Sequence, residues 1–211
     1  EEYLASPTVA GKINAFVDAL LKPDEEAFEN EAIDVLAKAF KDTGAYQFKM
    51  RMGDIKIRQM TRRYRKLLEQ GERQGAAAHL KEQLAFELEE YAERAQNYPT
   101  DLAVKYELGR RQLLAGQYDE AIASLQQAQR DPRRHVMAMN YLGQAFARKK
   151  WYREAAETFQ RALAAEVPEQ REKELRYSLG DVLEQMGELE AARDQFSQVA
   201  QVEFNYKDVR E

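Results

Sequence analysis

Small residues recur along this chain at a spacing that points to stacked helical hairpins. Leu108-Gly109, Leu142-Gly143 and Leu179-Gly180 place their glycines 34 and then 37 residues apart. Ala121, Ala155 and Ala192 keep the same two intervals, twelve residues after each glycine, and Leu125, Phe159 and Phe196 follow four residues later. A further small or medium residue, Ala128, Ala162 or Val199, comes seven residues after each alanine. Two antiparallel helices joined by a short turn approach closely only where no side chain intrudes. The spacing therefore predicts that the glycine of one helix and the alanine of the next mark each crossing, with Leu108, Leu125, Phe146 and Phe159 filling the space beyond it. Each of these large side chains, fully buried, contributes about 1.5–3 kcal/mol. Gly116 and Gly187 read as left-handed caps ending the first helix of their pairs. Tyr118 and Tyr152 follow at the turn, and Pro132 and Pro168 close second helices, since proline cannot continue a helix interior.

Composition narrows the alternatives. Glycine and proline are scarce, at 10 and 5 of 211 residues, and charged residues make up 33%. This is a helix-forming mixture and argues against all-β and βαβ architectures. No run approaches the 18 or so apolar residues of a membrane span, so the expected chain is soluble, with the cytoplasm favoured. A net charge of −5 argues against nucleic-acid binding by the chain as a whole. The absence of cysteine excludes disulfides, thiol nucleophiles and cysteine-based zinc sites. Glu1, not methionine, opens the chain, as in a processed or excised piece.

With its Leu-Gly, Tyr, Ala, Phe, Ala and Pro markers on a 34-residue period, the chain resembles the tetratricopeptide-repeat family over residues 100–203. The match has departures: Gln112 and Leu183 replace the usual aromatic, and extra residues around Val167 to Lys173 displace the third unit. The resemblance implies an all-α superhelix of antiparallel helix pairs. Phe204-Asn205-Tyr206-Lys207-Asp208-Val209 is similar to the segment that follows the last repeat in bacterial members, where it begins a terminal helix.

The first half follows a looser version of the pattern. Ala32, Leu36 and Ala39 sit in the second-helix places of a degenerate unit, and Ile13, Phe16, Val17, Leu20 and Leu21 line one face of its first helix. Residues 48–98 differ. Ile57, Met60, Tyr64 and Leu67, then Leu84, Leu88, Tyr91, Ala95 and Tyr98, form seam-like stripes on two long helices separated by Gly71 to Gly75. The expected organisation is a helix pair over 1–47, a long charged hairpin over 48–98, and three repeats with the start of a cap over 99–211. Thr100 or Asp101 would cap the first regular repeat.

Three functional readings follow. In proteins the chain resembles, the first helix of every unit lines a concave groove. The ligand-facing places then fall on Tyr106, Arg110, Asn140, Gln144, Arg148, Tyr177 and Asp181. Asn140 and Gln144 suit peptide amides, Arg110 and Arg148 a carboxylate, and the tyrosines rigid amphipathic contact. The lysine and asparagine pattern of chaperone-tail binders is absent, so no C-terminal carboxylate clamp is inferred. The preferred function is a noncatalytic scaffold for a protein or peptide partner. A second reading is an assembly subunit that joins copies of itself through its hairpin and C-terminal end. A third, weaker reading is nucleic-acid binding by Lys56, Arg58, Arg62, Arg63, Arg65 and Lys66. That strip is read instead as neutralised by Glu82, Glu87, Glu89, Glu90 and Glu93 on the returning helix. His79 and His135 are expected at the surface. No motif calls for a metal, a cofactor or catalysis.

Overall fold

The computed structural model describes residues 9–207. Glu1 and the Asp208-Val209 part of the tail lie outside them. The described residues form ten α-helices and no strand, divided between a unit ending at Asn97 and a unit beginning at Tyr98.

In the first unit α1 (Ala10–Leu20) pairs with α2 (Glu26–Thr43), and α3 (Tyr46–Glu69) pairs with α4 (Arg73–Asn97). Ile13, Val17, Ala32, Leu36 and Ala39 bury the α1–α2 crossing, joined by Phe48 and Ile55 from α3. The four-and-three spacing puts these apolar groups on one face of each helix.

The hairpin α3–α4 is held differently. Ile57, Met60, Tyr64 and Leu67 are only half-buried, and the side chains that α4 buries include His79, Gln83, Glu90 and Arg94. Arg94 donates to the carboxylates of Glu90 and Asp54 and to the Met50 carbonyl. The Glu90 carboxyl occupies the space that a side chain on Gly53 would fill. His79, expected at the surface, is 6% exposed, and its Nε2 lies 2.8 Å from the Met60 carbonyl oxygen. A polar side chain is buried here because the facing backbone offers it a partner.

The second unit contains three helix pairs: α5 (Leu102–Leu114) with α6 (Tyr118–Ala128), α7 (His135–Arg148) with α8 (Tyr152–Leu163), and α9 (Glu169–Gln185) with α10 (Leu189–Val202). Successive pairs stack, α6 on α7 and α8 on α9. Asp101 caps α5, accepting from the amides of Ala103 at 2.8 Å and Val104 at 3.1 Å. Pro132 lies in the turn beyond α6. Pro168 does not close α8; it sits at the N-terminus of α9, where its missing N–H costs no helical bond.

The crossing differs from expectation in one respect. An added Cβ at Gly109, Gly143 or Gly180 would lie 2.7, 2.6 or 2.6 Å from Leu125, Phe159 or Phe196, respectively. The glycine thus makes room for the large residue of the opposing helix. Ala121, Ala155 and Ala192 are buried alongside. A ring laid across a bare backbone buries more surface than two small residues facing each other.

The first helix of each repeat ends in the same turn. Gln117 N–H bonds Gln112 O, Trp151 N–H bonds Phe146 O and Glu188 N–H bonds Leu183 O, across residues at φ +78° (Gly116), +62° (Lys150) and +80° (Gly187). The middle repeat makes this left-handed cap without glycine.

Candidate functional site

The first helices of the repeats carry the proposed groove, and their side chains settle into distinct places. Tyr106 is 5% exposed and belongs to the repeat core, its hydroxyl 3.8 Å from Met137 Sδ. Burial raises its phenol above the usual tyrosine range. Arg110 lies between two rings, its guanidinium carbon 5.6 Å from the Tyr106 centroid and 5.3 Å from that of Tyr141, with Nη1 3.1 Å from Glu107 Oε2. Its cation is thus already engaged by aromatic faces and a carboxylate. Asn140 is 7% exposed, and its Oδ1 accepts from Gln144 Nε2 at 3.1 Å.

The remaining four places converge. Gln144 and Arg148 from α7, with Tyr177 and Asp181 from α9, line a pocket of about 400 Å³ whose wall includes Phe159 and Lys207. The floor is aromatic and the rim carries both signs of charge and amide groups. Tyr177 is fixed by Phe196, 5.7 Å away between centroids, and by Tyr206, 5.6 Å away edge to face. Lys207 Nζ stands 3.8 Å from the Tyr177 centroid. Lys173, buried near the start of α9, pairs with Glu203 and lies 4.7 Å from the Tyr206 centroid. These contacts bring the segment after α10 back onto α9.

Sequence reasoning missed Lys207 and Gln185 as lining residues. Gln185 was findable, since it continues the four-residue spacing of Tyr177 and Asp181. Lys207 was not, because its position depends on the fold of the tail.

The cations of α3 divide between two neighbours: some pair with the preceding helices α1 and α2, and only part of the neutralisation expected of α4 is seen. Lys49 does pair with Glu93 of α4, but Arg51 pairs with Asp18 of α1. Glu29 of α2, 0% exposed, takes Arg58 Nη2 at 2.7 Å and both terminal nitrogens of Arg62. The Arg62 hydrogen bonds hold the Glu29 carboxyl below the usual range against the opposing effect of burial. The cause is a sequence separation that pairing rules do not see: Glu29 of α2 is buried facing α3, where Arg58, Gln59 and Arg62 reach it. Lys56 faces Glu89, Glu90 and Glu93 across a small pocket, and Arg65 is exposed. Arg63 and Lys66 line another cavity in the first unit.

Among the described residues no cluster of three or more acidic, histidine or cysteine side chains could hold a metal ion, and no helix is long and apolar enough to cross a membrane.

The sequence model of the tetratricopeptide repeat family matches residues 106–166 and 152–206. No curated protein matches the chain by sequence. Among solved structures, MamA residues 41 to the end from Desulfovibrio magneticus RS-1 is similar, with a TM-score of 0.58 and 16% identity over 93% of this chain and 97% of that one. A MamA structure from MSR-1 gives 0.60 at 16% identity, covering 92% and 98%. A tetratricopeptide repeat protein from Parabacteroides merdae ATCC 43184 gives 0.61 at 13% identity, covering 90% and 66%. At these identities the likeness is one of fold.

Proposed function

Since this chain is a tetratricopeptide-repeat protein, its repeats matched from residue 106 to 206, we propose that it is a noncatalytic scaffold that holds an extended segment of a partner protein on the first-helix face of its second unit. The observation that carries this reading is the pocket where Gln144, Arg148, Tyr177 and Asp181 meet. Amide side chains there suit a peptide backbone, Arg148 and Lys207 suit a carboxylate, and the Tyr177 ring supplies a rigid apolar surface. Affinity would accumulate from modest contacts on a surface already in place. Tyr106 and Asn140, being buried, offer a partner little surface, and Arg110 is already held by Glu107 and two tyrosine rings.

The test is capture from native lysate with the intact chain and with Arg148→Ala/Asp181→Ala as control. Both substituted residues are exposed, so the fold should survive. A partner retained by the first and lost by the second supports the groove; equal retention rejects it.

Self-association is a second reading. Val202 and Phe204, at the end of α10 and just beyond it, are apolar and exposed. Mass rising with concentration in light scattering, and abolished by Val202→Asp, would favour it.

A further inference from the structure

We propose a second peptide-binding site, in the first unit, that takes a protein segment carrying carboxylates next to an apolar side chain. It is an open cavity of about 730 Å³ bordered by α2, α3 and α4, and it shares no residue with the pocket in the repeats. Met60 and Leu67, two turns apart on α3, give it an apolar floor. Arg63 and Lys66 stand beside them, exposed and with no ion-pair partner among the described residues, whereas neighbouring Arg62 is committed to Glu29 and Asp24. Two like charges one turn apart repel each other, and an incoming carboxylate relieves that repulsion.

His79 supplies an independent observation. It lines the same cavity, is more than nine-tenths buried, and directs Nε2 to the Met60 carbonyl. That carbonyl can only accept, so Nε2 carries the hydrogen. Nδ1 is left buried without a hydrogen-bond partner, 3.7 Å from the Glu82 carboxylate. In the neutral ring Nδ1 is an acceptor, and a carboxylate cannot satisfy it. Glu82 is well exposed and free to swing aside, which opens Nδ1 to a donor.

These features select the class of ligand. A phosphodiester backbone carries no N–H group for Nδ1, and its charges are not flanked by apolar side chains that could cover Met60 and Leu67. A peptide brings backbone N–H groups, places its carboxylates on Arg63 and Lys66, and lays an apolar side chain on Met60 and Leu67.

The probe is an end-blocked, dye-labelled peptide of alternating glutamate and leucine, titrated by fluorescence anisotropy into the whole chain. Its counterpart with glutamine for glutamate should bind about tenfold more weakly. Arg63→Glu/Lys66→Glu should weaken the acidic peptide by about tenfold or more, and should do so equally in a chain that also carries Arg148→Ala/Asp181→Ala. Addition of the peptide should also shift the His79 Nδ1 resonance. No binding, or binding indifferent to the Arg63/Lys66 reversal in either background, would overturn the proposal. Displacement of the peptide by a lower concentration of polyuridylate would overturn it in favour of nucleic acid.

Discussion

The Phe159 ring lies where a side chain on Gly143 would have to be, its Cε1 2.6 Å from the position of that absent Cβ. Gly143→Ala therefore sets two effects against each other. Alanine gains about 1 kcal/mol over glycine inside a helix, while forcing the ring to move in a packed core costs about 1–3 kcal/mol. A net loss of stability is expected in urea unfolding of the Gly143 variant. Gly11 of α1 has nothing within 4 Å of its added Cβ, so Gly11→Ala should be neutral or stabilising, by at most about 1 kcal/mol.

Lys150 occupies the left-handed cap position that Gly116 and Gly187 hold in the flanking repeats. A side chain in that conformation costs about 1–2 kcal/mol, and replacing it with glycine returns part of this as entropy of the unfolded chain. Lys150→Gly should raise stability by about 0.5–1 kcal/mol, read as a higher denaturant midpoint with unchanged slope.

Glu29→Gln removes the anion that Arg58 and Arg62 share. The expected loss at neutral pH is about 1–3 kcal/mol. The native carboxyl titrates below its unfolded value, so its contribution is complete above the ordinary glutamate pKa of about 4.3 and is lost as the pH falls through the folded value. Wild type and variant should converge in stability on acidification, as measured by unfolding at a series of pH values.

Lys173→Ala should loosen the segment beyond α10 by removing the partner of Glu203 and the cation beside Tyr206. Amide exchange in the last turn of α10 should quicken while that of α7 stays constant. Equal exchange in both proteins would show that the tail is held without Lys173.

Asp101→Ala deprives Ala103 and Val104 of their acceptor. The expected cost is about 0.5–2 kcal/mol. Asp101→Ser should recover most of it, and thermal unfolding distinguishes the two.

The repeats were legible because each crossing is written three times, and Gly109, Gly143 and Gly180 share one physical need. Their opposing partner was misread because an alanine suggests close approach as readily as a glycine does. The α3–α4 interface was hidden for the opposite reason. His79, Gln83, Glu90 and Arg94 repeat at intervals of 4, 7 and 4, a helical stripe in spacing but not in polarity, and charged residues are rarely buried unless paired. Gly53, isolated in a strongly charged helix, was the available clue. That Gln144, Arg148, Tyr177 and Asp181 line one pocket follows from their place on the first helices of adjoining repeats. The burial of Tyr106 and Asn140 depends on how neighbouring helices rotate, which no pattern along the chain specifies.

The polar face between α3 and α4 carries a consequence for how that hairpin comes apart. Oily contacts can slide, trading one neighbour for another at little loss. The bonds from His79 to the Met60 carbonyl, from Gln83 to Thr61, and from Arg94 to Asp54 and the Met50 carbonyl all belong to one register of the two helices. Sliding would strand several of these groups at once, so the two long helices should separate as a latch does, all together or not at all.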